Sequence, residues 1–241
     1  MISAIIPARG GSKSIPRKNL VSICGHPLIA YSIATCKLAK NIDRVIVSTE
    51  DEEIAEIAEK YGAEVPFLRP SEYSTDTSSD VGFLNHFFDN VDVEEVALMR
   101  PTTPLRDAEF VDRVIEVYFD QRESLSGLRT MHEISESPYK LFKIENNFCE
   151  SFFREWKGVS NYSNLPRQNF PKTYKPDGHI DIVKRKTVRL GVTFGDKIYA
   201  IKGKKITDID SREDLNMLLS SMDTKHRPLE EWESGESFKK E

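Results

Sequence analysis

A loop that combines glycine with concentrated positive charge follows the first apolar segment of the chain. The string ARGGSKSIPRKN contains two adjacent glycines and four basic residues, Arg9, Lys13, Arg17 and Lys18. Gly10 and Gly11 would let backbone N–H groups approach an anion, and Ser12 adds a hydroxyl donor. Arg9 and Lys13 would neutralise charge that N–H groups cannot. The loop therefore indicates a polyphosphate site, although it lacks both standard phosphate-loop spacings, and a solvated basic turn is the alternative.

Two aspartates near the other end of the chain suggest a metal site. Asp208 and Asp210 lie in the string DIDS, and we expect this string at the end of a strand. Residues i and i+2 on a strand project to the same side, so the two carboxylates would converge and repel each other unless a cation is present. Hard oxygen ligands beside a triphosphate suit magnesium. The alternative is that both carboxylates cap the helix that begins near Ser211.

The composition indicates a globular chain with a local anion site. The 241 residues are 39% hydrophobic and 30% charged, which suits one ordinary domain with a sizeable core. The formal net charge of −5 argues against a general nucleic-acid-binding protein, which would carry a basic face. Any anion site must therefore be local.

Cysteine usage and hydropathy bear on the compartment. The three cysteines are widely spaced, so they indicate neither a zinc site nor a disulfide framework. The apolar run at the N-terminus is short and meets Arg9 at once, and no stretch approaches the length that spans a membrane. We therefore expect a soluble cytoplasmic protein that has no membrane partner.

Strand and helix signals alternate along the first two thirds of the chain. The segments SAIIPA, DRVIVST, EVPFL, EEVALM and SLSGLRTM are predicted strands, and segments of helical periodicity separate them. Thr49 with Glu52 would cap one helix, and Pro27 suits the first turn of another. These units predict an α/β fold with a mainly parallel sheet and helices on both faces. Ligands bind beyond the carboxyl ends of such strands, where the basic loop and the string RPTTPLR both lie.

The alternation stops after residue 136. The following segment is rich in aromatic, Asn, Pro and basic residues, and it is too long for an ordinary loop. We predict a hairpin-bearing arm that packs on a second subunit, followed by a return to the main domain and an exposed tail. The predicted boundaries are 1–136 and 190–224 for the domain, 137–189 for the insertion and 225–241 for the tail.

The complete first loop resembles the signature of the acylneuraminate cytidylyltransferases, the CMP-sialic acid synthetase family. Six further matches follow in the family's order: VIVSTEDEEIAEIAEKYGAEV, RPSEYSTDTSS, RPTTPLR, PRQNFP, YKPDGHIDI and DIDSREDL. They extend from about residue 3 to about residue 220. The resemblance implies a three-layer α/β/α nucleotidyltransferase that condenses CTP with a 2-keto sugar acid, either sialic acid or a related nonulosonic acid. The anomeric hydroxyl of the acid would attack the α-phosphate, giving a CMP-sugar and pyrophosphate.

The resemblance also implies the residues of the nucleotide site. The backbone near Ala8 would read the cytosine edge, and Arg69 would bond the cytosine carbonyl unless it forms only a surface salt bridge. Fixed cations and Mg²⁺ would supply most of the catalysis, with Arg9, Lys13, Asp208 and Asp210 as the catalytic set. The full nucleotide set is Ala8, Arg9, Gly10, Gly11, Ser12, Lys13, Lys18, Asn19, Arg69 and Asp76.

The acceptor site implied by the resemblance departs from the better-known sialic acid enzymes. Arg100 stands where those enzymes carry Gln, and Asp177 stands where they usually carry Asn. Arg100 would pair with the acceptor carboxylate or reach another substituent, so the acid remains open. His179 invites a general-base role, but a lone histidine is more often structural. The implied acceptor residues are Arg100, Thr102, Thr103, Arg106, Arg167, Gln168, Asp177 and Gly178.

The family's architecture implies a homodimer, and two other functions remain open. An apolar cluster in the arm would be buried between subunits: Phe148, Phe152, Phe153 and Trp156. One alternative function is a nucleotidyltransferase for a sugar 1-phosphate, in which Arg100 and Arg106 would form a basic pocket. The other is a catalytically silent nucleotide-binding homologue, which should have lost the loop lysine or the two aspartates.

Overall fold

The computed structural model describes residues 1–221 and Leu229. The strands, in chain order, are β1 (Ile2–Pro7), β2 (Ser22–Ile23), β3 (His26–Pro27), β4 (Ile42–Ser48), β5 (Glu95–Leu98), β6 (Gly127–Ile134), β7 (Phe142–Glu145), β8 (Phe148–Ser151), β9 (Thr173–Lys184) and β10 (Ile198–Lys202). The helices are α1 (Leu28–Leu38), α2 (Glu52–Lys60), α3 (Asp80–Asn90), α4 (Ala108–Gln121), α5 (Arg185–Val188) and α6 (Arg212–Ser221).

Six of these strands form the main sheet in the order β10-β6-β9-β5-β1-β4. Strand β9 runs antiparallel to both of its neighbours, and the other three strand pairs are parallel. The predicted α/β fold with a mainly parallel sheet is confirmed.

Helices cover both faces of the sheet. Successive side chains of a strand point to opposite faces, and β1 contributes to two separate cores for this reason. Ala4 and Ile6 pack in a cluster with buried residues from one side of α1 and from α2 and α4, whereas Ile5 packs in the cluster of α3. The resulting three layers leave the carboxyl ends of β1 and β5 side by side, because these strands are parallel neighbours.

The predicted EVPFL strand is not a continuous strand. Only Glu64 and Leu68 form bridges, with Ile46 and Thr49 respectively. Pro66 lies between them and has no N–H to donate, so the ladder is interrupted at the edge of the sheet beside β4.

Two predicted helix starts are shifted. The N-cap of α2 is Asp51, whose carboxylate accepts the N–H of Ile54 at 3.0 Å. Thr49 accepts the N–H of Asp51 instead, so it shapes the turn before the helix. Pro27 occupies the N-cap of α1 and belongs to β3 rather than to the first helical turn.

The insertion is shorter than predicted, because residues 173–184 form β9 at the centre of the main sheet. Ile180, Ile182 and Val183 are fully buried there. Asp177 and His179 alternate with glycine and isoleucine in the same strand, and these polar residues conceal the strand pattern in the sequence. The arm itself contains the β7–β8 hairpin, which pairs antiparallel outside the main sheet.

The arm has a small aromatic core and an exposed apolar face. The rings of Tyr139 and Phe170 are stacked with their centroids 5.2 Å apart, and the ring centroids of Trp156 and Tyr139 are 4.3 Å apart. Trp156 therefore packs within the arm, whereas the sequence analysis expected it in a subunit interface. The hairpin and the turn after it expose large apolar side chains: Phe142, Ile144, Phe148, Phe152 and Phe153. The dimer contact remains a prediction.

The predicted exposed tail can be compared with the structure only at Leu229. The boundary at residue 224 and the tail 225–241 lie outside the described residues except for Leu229. The Leu229 side chain is buried with Ile15, Tyr31 and Leu218. The prediction that the tail is exposed is therefore wrong at this position. No helix within the described part of the chain has the length and apolar character that a bilayer span requires.

Replacing Leu84 with Ala should destabilise the protein by about 2–5 kcal/mol, because the side chain is fully buried between α3 and the sheet. Leu190→Ala is the matched control, since Leu190 is 81% exposed, and it should change the free energy of unfolding by less than about 0.5 kcal/mol. Urea unfolding followed by circular dichroism at one protein concentration measures both. Equal losses would contradict the assignment of α3 to the core.

Candidate active site

A cleft opens beyond the carboxyl ends of β1 and β5, where the first loop meets the loop that follows β5. Its walls include seven residues of the predicted nucleotide site: Arg9, Gly11, Ser12, Lys18, Asn19, Arg69 and Asp76. Arg100 and Thr102 form the end nearest β5. The structure thus brings together the first loop and part of the predicted acceptor site.

Glu50, which the sequence analysis did not select, holds the first loop in place. Its carboxylate accepts the N–H of Gly10 at 2.8 Å and a guanidinium N–H of Arg69 at 3.4 Å. The Gly10 N–H, one of the expected anion donors, is therefore occupied by the Glu50 carboxylate in this structure. A Cβ on Gly10 would collide with the carboxylate of Asp51. Close packing against the residue that caps α2 is therefore one reason for glycine here.

The four basic residues of the loop have different surroundings. Arg17 points to α2 and forms ion pairs with Asp51 and Glu53. The hydrogen bond from Arg17 is the main cause that holds the pKa of Asp51 below its usual range. Arg9 and Lys18 line the cleft, and the Lys13 side chain is 84% exposed. Only part of the positive charge therefore faces the cleft.

Asp76 neutralises two of the predicted phosphate-binding cations. One of its carboxylate oxygens lies 2.9 Å from Arg9 Nη2, and the other lies 2.8 Å from Lys13 Nζ. The hydrogen bond from Lys13 is the main cause that lowers the pKa of Asp76. A triphosphate that binds Arg9 and Lys13 would have to compete with this carboxylate.

Ala8 and Asn19 shape the backbone of the first loop. The N–H of Ala8 donates to Ser48 O at 3.0 Å, which continues the pairing of β1 with β4. The buried Asn19 side chain donates to Arg9 O at 2.8 Å. The loop is thus fixed at both ends, with Ser12 and Gly11 between them at the cleft.

Asp208 and Asp210 do not lie on a strand, because β10 ends at Lys202. They flank the buried Ile209, whose N–H donates to Thr102 O at 2.7 Å and whose carbonyl accepts from Lys18 Nζ at 3.0 Å. Both aspartates are exposed, and Asp210 Oδ1 lies 3.5 Å from Lys18 Nζ. Ile209 is therefore anchored to Thr102 and Lys18 of the cleft wall, and the aspartates on either side of it lie near this wall, with Asp210 paired to Lys18.

The cap of α6 is formed by other residues, so the alternative role for the aspartate pair is wrong. Ser211 Oγ accepts the N–H of Asp214 at 3.1 Å. The Asp214 carboxylate in turn accepts the N–H of Ser211 at 2.8 Å and that of Asp210 at 3.1 Å. This reciprocal arrangement is a capping box that leaves the carboxylates of Asp208 and Asp210 uncommitted to the helix.

Arg106 is a buried structural residue, not the acceptor contact that was expected. Its Nε donates to His179 O at 2.7 Å, its Nη1 donates to Thr103 O, and its Nη2 donates to Arg100 O. Gly178 O also accepts from this guanidinium, at 2.9 Å from Nη2. Burial lowers the pKa of Arg106 to about 10. The side chain ties the loop after β5 to β9 and has no surface for a ligand.

Three other predicted acceptor residues lie behind the cleft rather than in its walls. Thr103 and Asp177 are buried, and Gly178 has φ = +77° and would place a Cβ against Thr103 Oγ1. Asp177 accepts the N–H of His179 at 2.9 Å and the hydroxyl of Thr130. Burial raises the pKa of Asp177, but the hydrogen bonds from His179 and Thr130 outweigh it, so the net pKa is lowered.

His179 is part of the same buried layer. Its ring lies edge-on to Phe110 at 4.9 Å, and its Nδ1 is 3.5 Å from Asp177 Oδ1. These contacts are those of a core histidine.

Arg167 and Gln168 belong to a different cavity, which Glu133, Ser137 and Lys172 also line. They are carried by the arm, so one chain does not bring them into its own cleft.

A sequence model of the family described as Cytidylyltransferase matches residues 3–196, which is most of the chain. The chain belongs to this cytidylyltransferase family. It is 30% identical to the N-acylneuraminate cytidylyltransferase of Escherichia coli over 94% of its length, and it covers 53% of that protein. It is 37% identical to the pseudaminic acid cytidylyltransferase of Campylobacter jejuni over 54% of its length, covering 58% of that protein. The chain thus spans about half the length of the curated relatives it matches.

Solved structures agree with the fold of this cytidylyltransferase family member. A CMP:2-keto-3-deoxy-manno-octonic acid synthetase complexed with CTP superposes with a TM-score of 0.69. The match covers 91% of this chain and 97% of that one at 16% sequence identity, so it supports the fold alone.

Two acidic residues were missed, Glu50, which supports this cytidylyltransferase cleft, and Asp80, which lines it, and both had a signal in the sequence. Glu50 follows β4, which is the parallel neighbour of β1, so its side chain belongs at the same edge of the sheet as the first loop. Asp80 begins α3 directly after the string DTSS and borders the cleft opposite Arg100. Acidic residues at such positions deserve the same weight as basic ones.

Replacing Arg106 with Lys should destabilise the protein by about 3 kcal/mol or more, because one ammonium cannot serve the carbonyls that the guanidinium now serves. Arg113→Lys is the matched control, since that side chain is exposed and its ion pairs are 3.9 Å or longer. Thermal unfolding of the two variants measures the difference. Similar small shifts would contradict the structural role of Arg106.

Replacing Asp76 with Asn should strengthen binding of pyrophosphate about three- to fivefold in metal-free buffer, because Arg9 and Lys13 lose a competing carboxylate. Asp89→Asn removes an exposed aspartate that pairs with Arg189 and serves as the control. Isothermal titration calorimetry measures both. Weaker binding by Asp76→Asn would contradict the competition.

Proposed function

We propose that the chain carries the catalytic centre of a CTP-dependent enzyme that transfers CMP to a 2-keto sugar acid of the nonulosonic class and releases pyrophosphate. The observation that carries the proposal is the cleft beyond β1 and β5, where Arg9, Lys18 and Arg69 face one space in a chain of the cytidylyltransferase family. Relatives named for N-acylneuraminate and pseudaminic acid support the class of acceptor.

Arg9, Lys13 and Lys18 would hold the triphosphate of CTP. They come from one loop whose backbone is fixed by Glu50 and Asn19, so little reorganisation is needed when charge develops during the reaction. Attack by the anomeric hydroxyl forms a bond to the α-phosphorus and breaks its bond to the pyrophosphate oxygen. Charge then grows on the pyrophosphate, which fixed cations stabilise.

Arg69 would face the cytosine base. It is buried, its guanidinium lies 5.4 Å from the centre of the Phe83 ring, and Glu50 bonds it from behind. A rigid donor of this kind suits recognition of a base carbonyl, because its position does not depend on the ligand. The expected surface salt bridge does not describe this residue, since the side chain is not on the surface.

We expect Asp208 and Asp210 to hold Mg²⁺ beside the triphosphate. Both carboxylates are exposed and flank Ile209, which is bonded to Thr102 and Lys18 of the cleft wall. Mg²⁺ in nucleotide sites is commonly held by one or two carboxylates together with phosphate oxygens. No cluster of three or more candidate ligands occurs among the described residues, so phosphate oxygens would complete the shell. When bound, Mg²⁺ would neutralise charge on the phosphates.

The arm would serve a homodimer in the cytoplasm. Its exposed Phe142, Ile144 and Phe148 form an apolar face that a second copy of the chain would cover. In such a dimer the arm would also be the element that delivers Arg167 and Gln168 to an acceptor. The free thiols of Cys36 and Cys149 suit a reducing compartment.

The two alternative functions are less well supported. A sugar 1-phosphate acceptor would need the basic pocket of Arg100 with Arg106, but Arg106 is committed to backbone carbonyls. A silent homologue would lack the loop lysine or the aspartates, and Lys13, Asp208 and Asp210 are all retained.

Incubating the chain with Mg²⁺, one nucleoside triphosphate and a panel of free acids should release pyrophosphate. The panel contains sialic, legionaminic, pseudaminic and shorter ulosonic acids, and we expect release with CTP and at least one acid. Asp210→Asn should lower turnover at least about 100-fold without unfolding the protein. Asp92→Asn, at a fully exposed aspartate that pairs with Arg185, should keep wild-type turnover.

Release with a sugar 1-phosphate but with no free acid would overturn the acceptor class. Unchanged turnover of Asp210→Asn would remove that residue from the metal site.

A further inference from the structure

Arg100 is the cation that the nucleotide half of the cleft does not use. Among the described residues, the cationic side chains lining the cleft are those of Arg9, Lys18, Arg69 and Arg100. Arg9 and Lys18 belong to the first loop, and Arg69 is fixed by Glu50. Arg100 follows β5 directly and lies beside Thr102, at the end of the cleft that remains for a second substrate.

The backbone and the side chain of Arg100 are held by different residues. Its carbonyl accepts from the buried guanidinium of Arg106, which fixes the start of the side chain. Its Nη2 donates to Asp80 Oδ2 at 2.6 Å, and a third of the side chain is exposed in the cleft. A guanidinium has five N–H donors in a planar fork, so an ion pair on one edge leaves another edge for a second carboxylate.

Asp80 is a rigid partner for this arginine. It is the first residue of α3, where the helix dipole favours a negative charge. Leu84 and Phe87 on the same helix are fully buried against the sheet, so the position of Asp80 is set by the core. The ion pair therefore fixes the direction of the guanidinium before any ligand binds.

The surroundings of Arg100 are otherwise acidic. Burial lowers its pKa, but Asp80, and more weakly Asp181 and Asp208, raise it above the ordinary value. A carboxylate that entered this end of the cleft without Arg100 would meet Asp80 directly and would be repelled.

We propose that Arg100 binds the carboxylate of the sugar-acid acceptor and that Asp80 is the residue that positions Arg100 for it, an inference that rests on the proposed function. Asp80 holds one edge of the guanidinium, and the acceptor carboxylate binds the other. The pair makes a carboxylate a condition for productive binding, and it makes Asp80 harmful whenever Arg100 is absent.

Acceptor kinetics with an active sugar acid test this pair. Arg100→Gln should raise the KM for the acid about 10- to 100-fold, the range of a charged hydrogen bond, and should leave the KM for CTP within about threefold. Asp80→Asn should raise the KM for the acid about three- to tenfold with little change in kcat, because Arg100 loses its fixed direction.

The double variant gives the sharpest readout. Adding Asp80→Asn to Arg100→Gln should lower the KM for the acid below that of Arg100→Gln alone, because the substitution removes the carboxylate that repels the acceptor. The same substitution is thus harmful in one background and beneficial in the other, which a merely structural role of Asp80 does not produce. Asp89→Asn, near the other end of α3, is the control and should change neither constant.

The outcomes separate the two proposals. A wild-type chain that releases no pyrophosphate with any free acid overturns the proposed function, and the assignment of Arg100 fails with it. An active wild type whose Arg100→Gln variant keeps the KM for the acid overturns the assignment of Arg100 alone. Additive effects of the two substitutions overturn the positioning role of Asp80. CTP binding by calorimetry verifies that each variant is folded.

Discussion

The buried guanidinium of Arg106 is the interaction on which the cleft depends. It bonds the carbonyls of Arg100 and Thr103 on one side and those of Gly178 and His179 on the other. The loop after β5 therefore cannot move independently of β9. Because β9 is the antiparallel strand between β5 and β6, this contact fastens the ligand-facing loop to the middle of the sheet. A buried cation is tolerated there because each edge of the guanidinium meets a backbone oxygen.

Charge compensation explains how an acidic protein holds a basic loop. Acidic residues at the ends of neighbouring elements face the loop's cations: Glu50 fixes the backbone, Asp51 binds Arg17, and Asp76 bridges Arg9 and Lys13. The loop is thereby ordered before a ligand arrives. The charge of Arg17 stabilises the packing of the loop on α2. Arg9 and Lys13 can bind a polyanion that displaces the carboxylate of Asp76. The Asp80–Arg100 pair applies the same principle at the other end of the cleft.

The sequence predicts the parallel part of the fold well, because apolar strands and amphipathic helices alternate there with clear periods. It fails at β9, where Asp177, His179 and Asp181 are buried through hydrogen bonds and an ion pair rather than through hydrophobicity. The prediction of a strand also fails at the EVPFL segment, because the apolar pattern continues through Pro66 whereas the strand pairing stops there. Burial of polar residues depends on partners far away in the chain, which a local pattern does not contain.

The sequence by itself determined the family, the α/β class and the residue types of the nucleotide half, because those properties reside in contiguous strings such as ARGGSKSIPRKN. Only the tertiary structure separated residues that line the cleft from residues that support it. Arg100 and Arg106 are six positions apart in one loop, yet Arg100 faces the cleft and Arg106 is buried. The physical reason is that β9 supplies carbonyl acceptors to Arg106, whereas α3 supplies a carboxylate to Arg100.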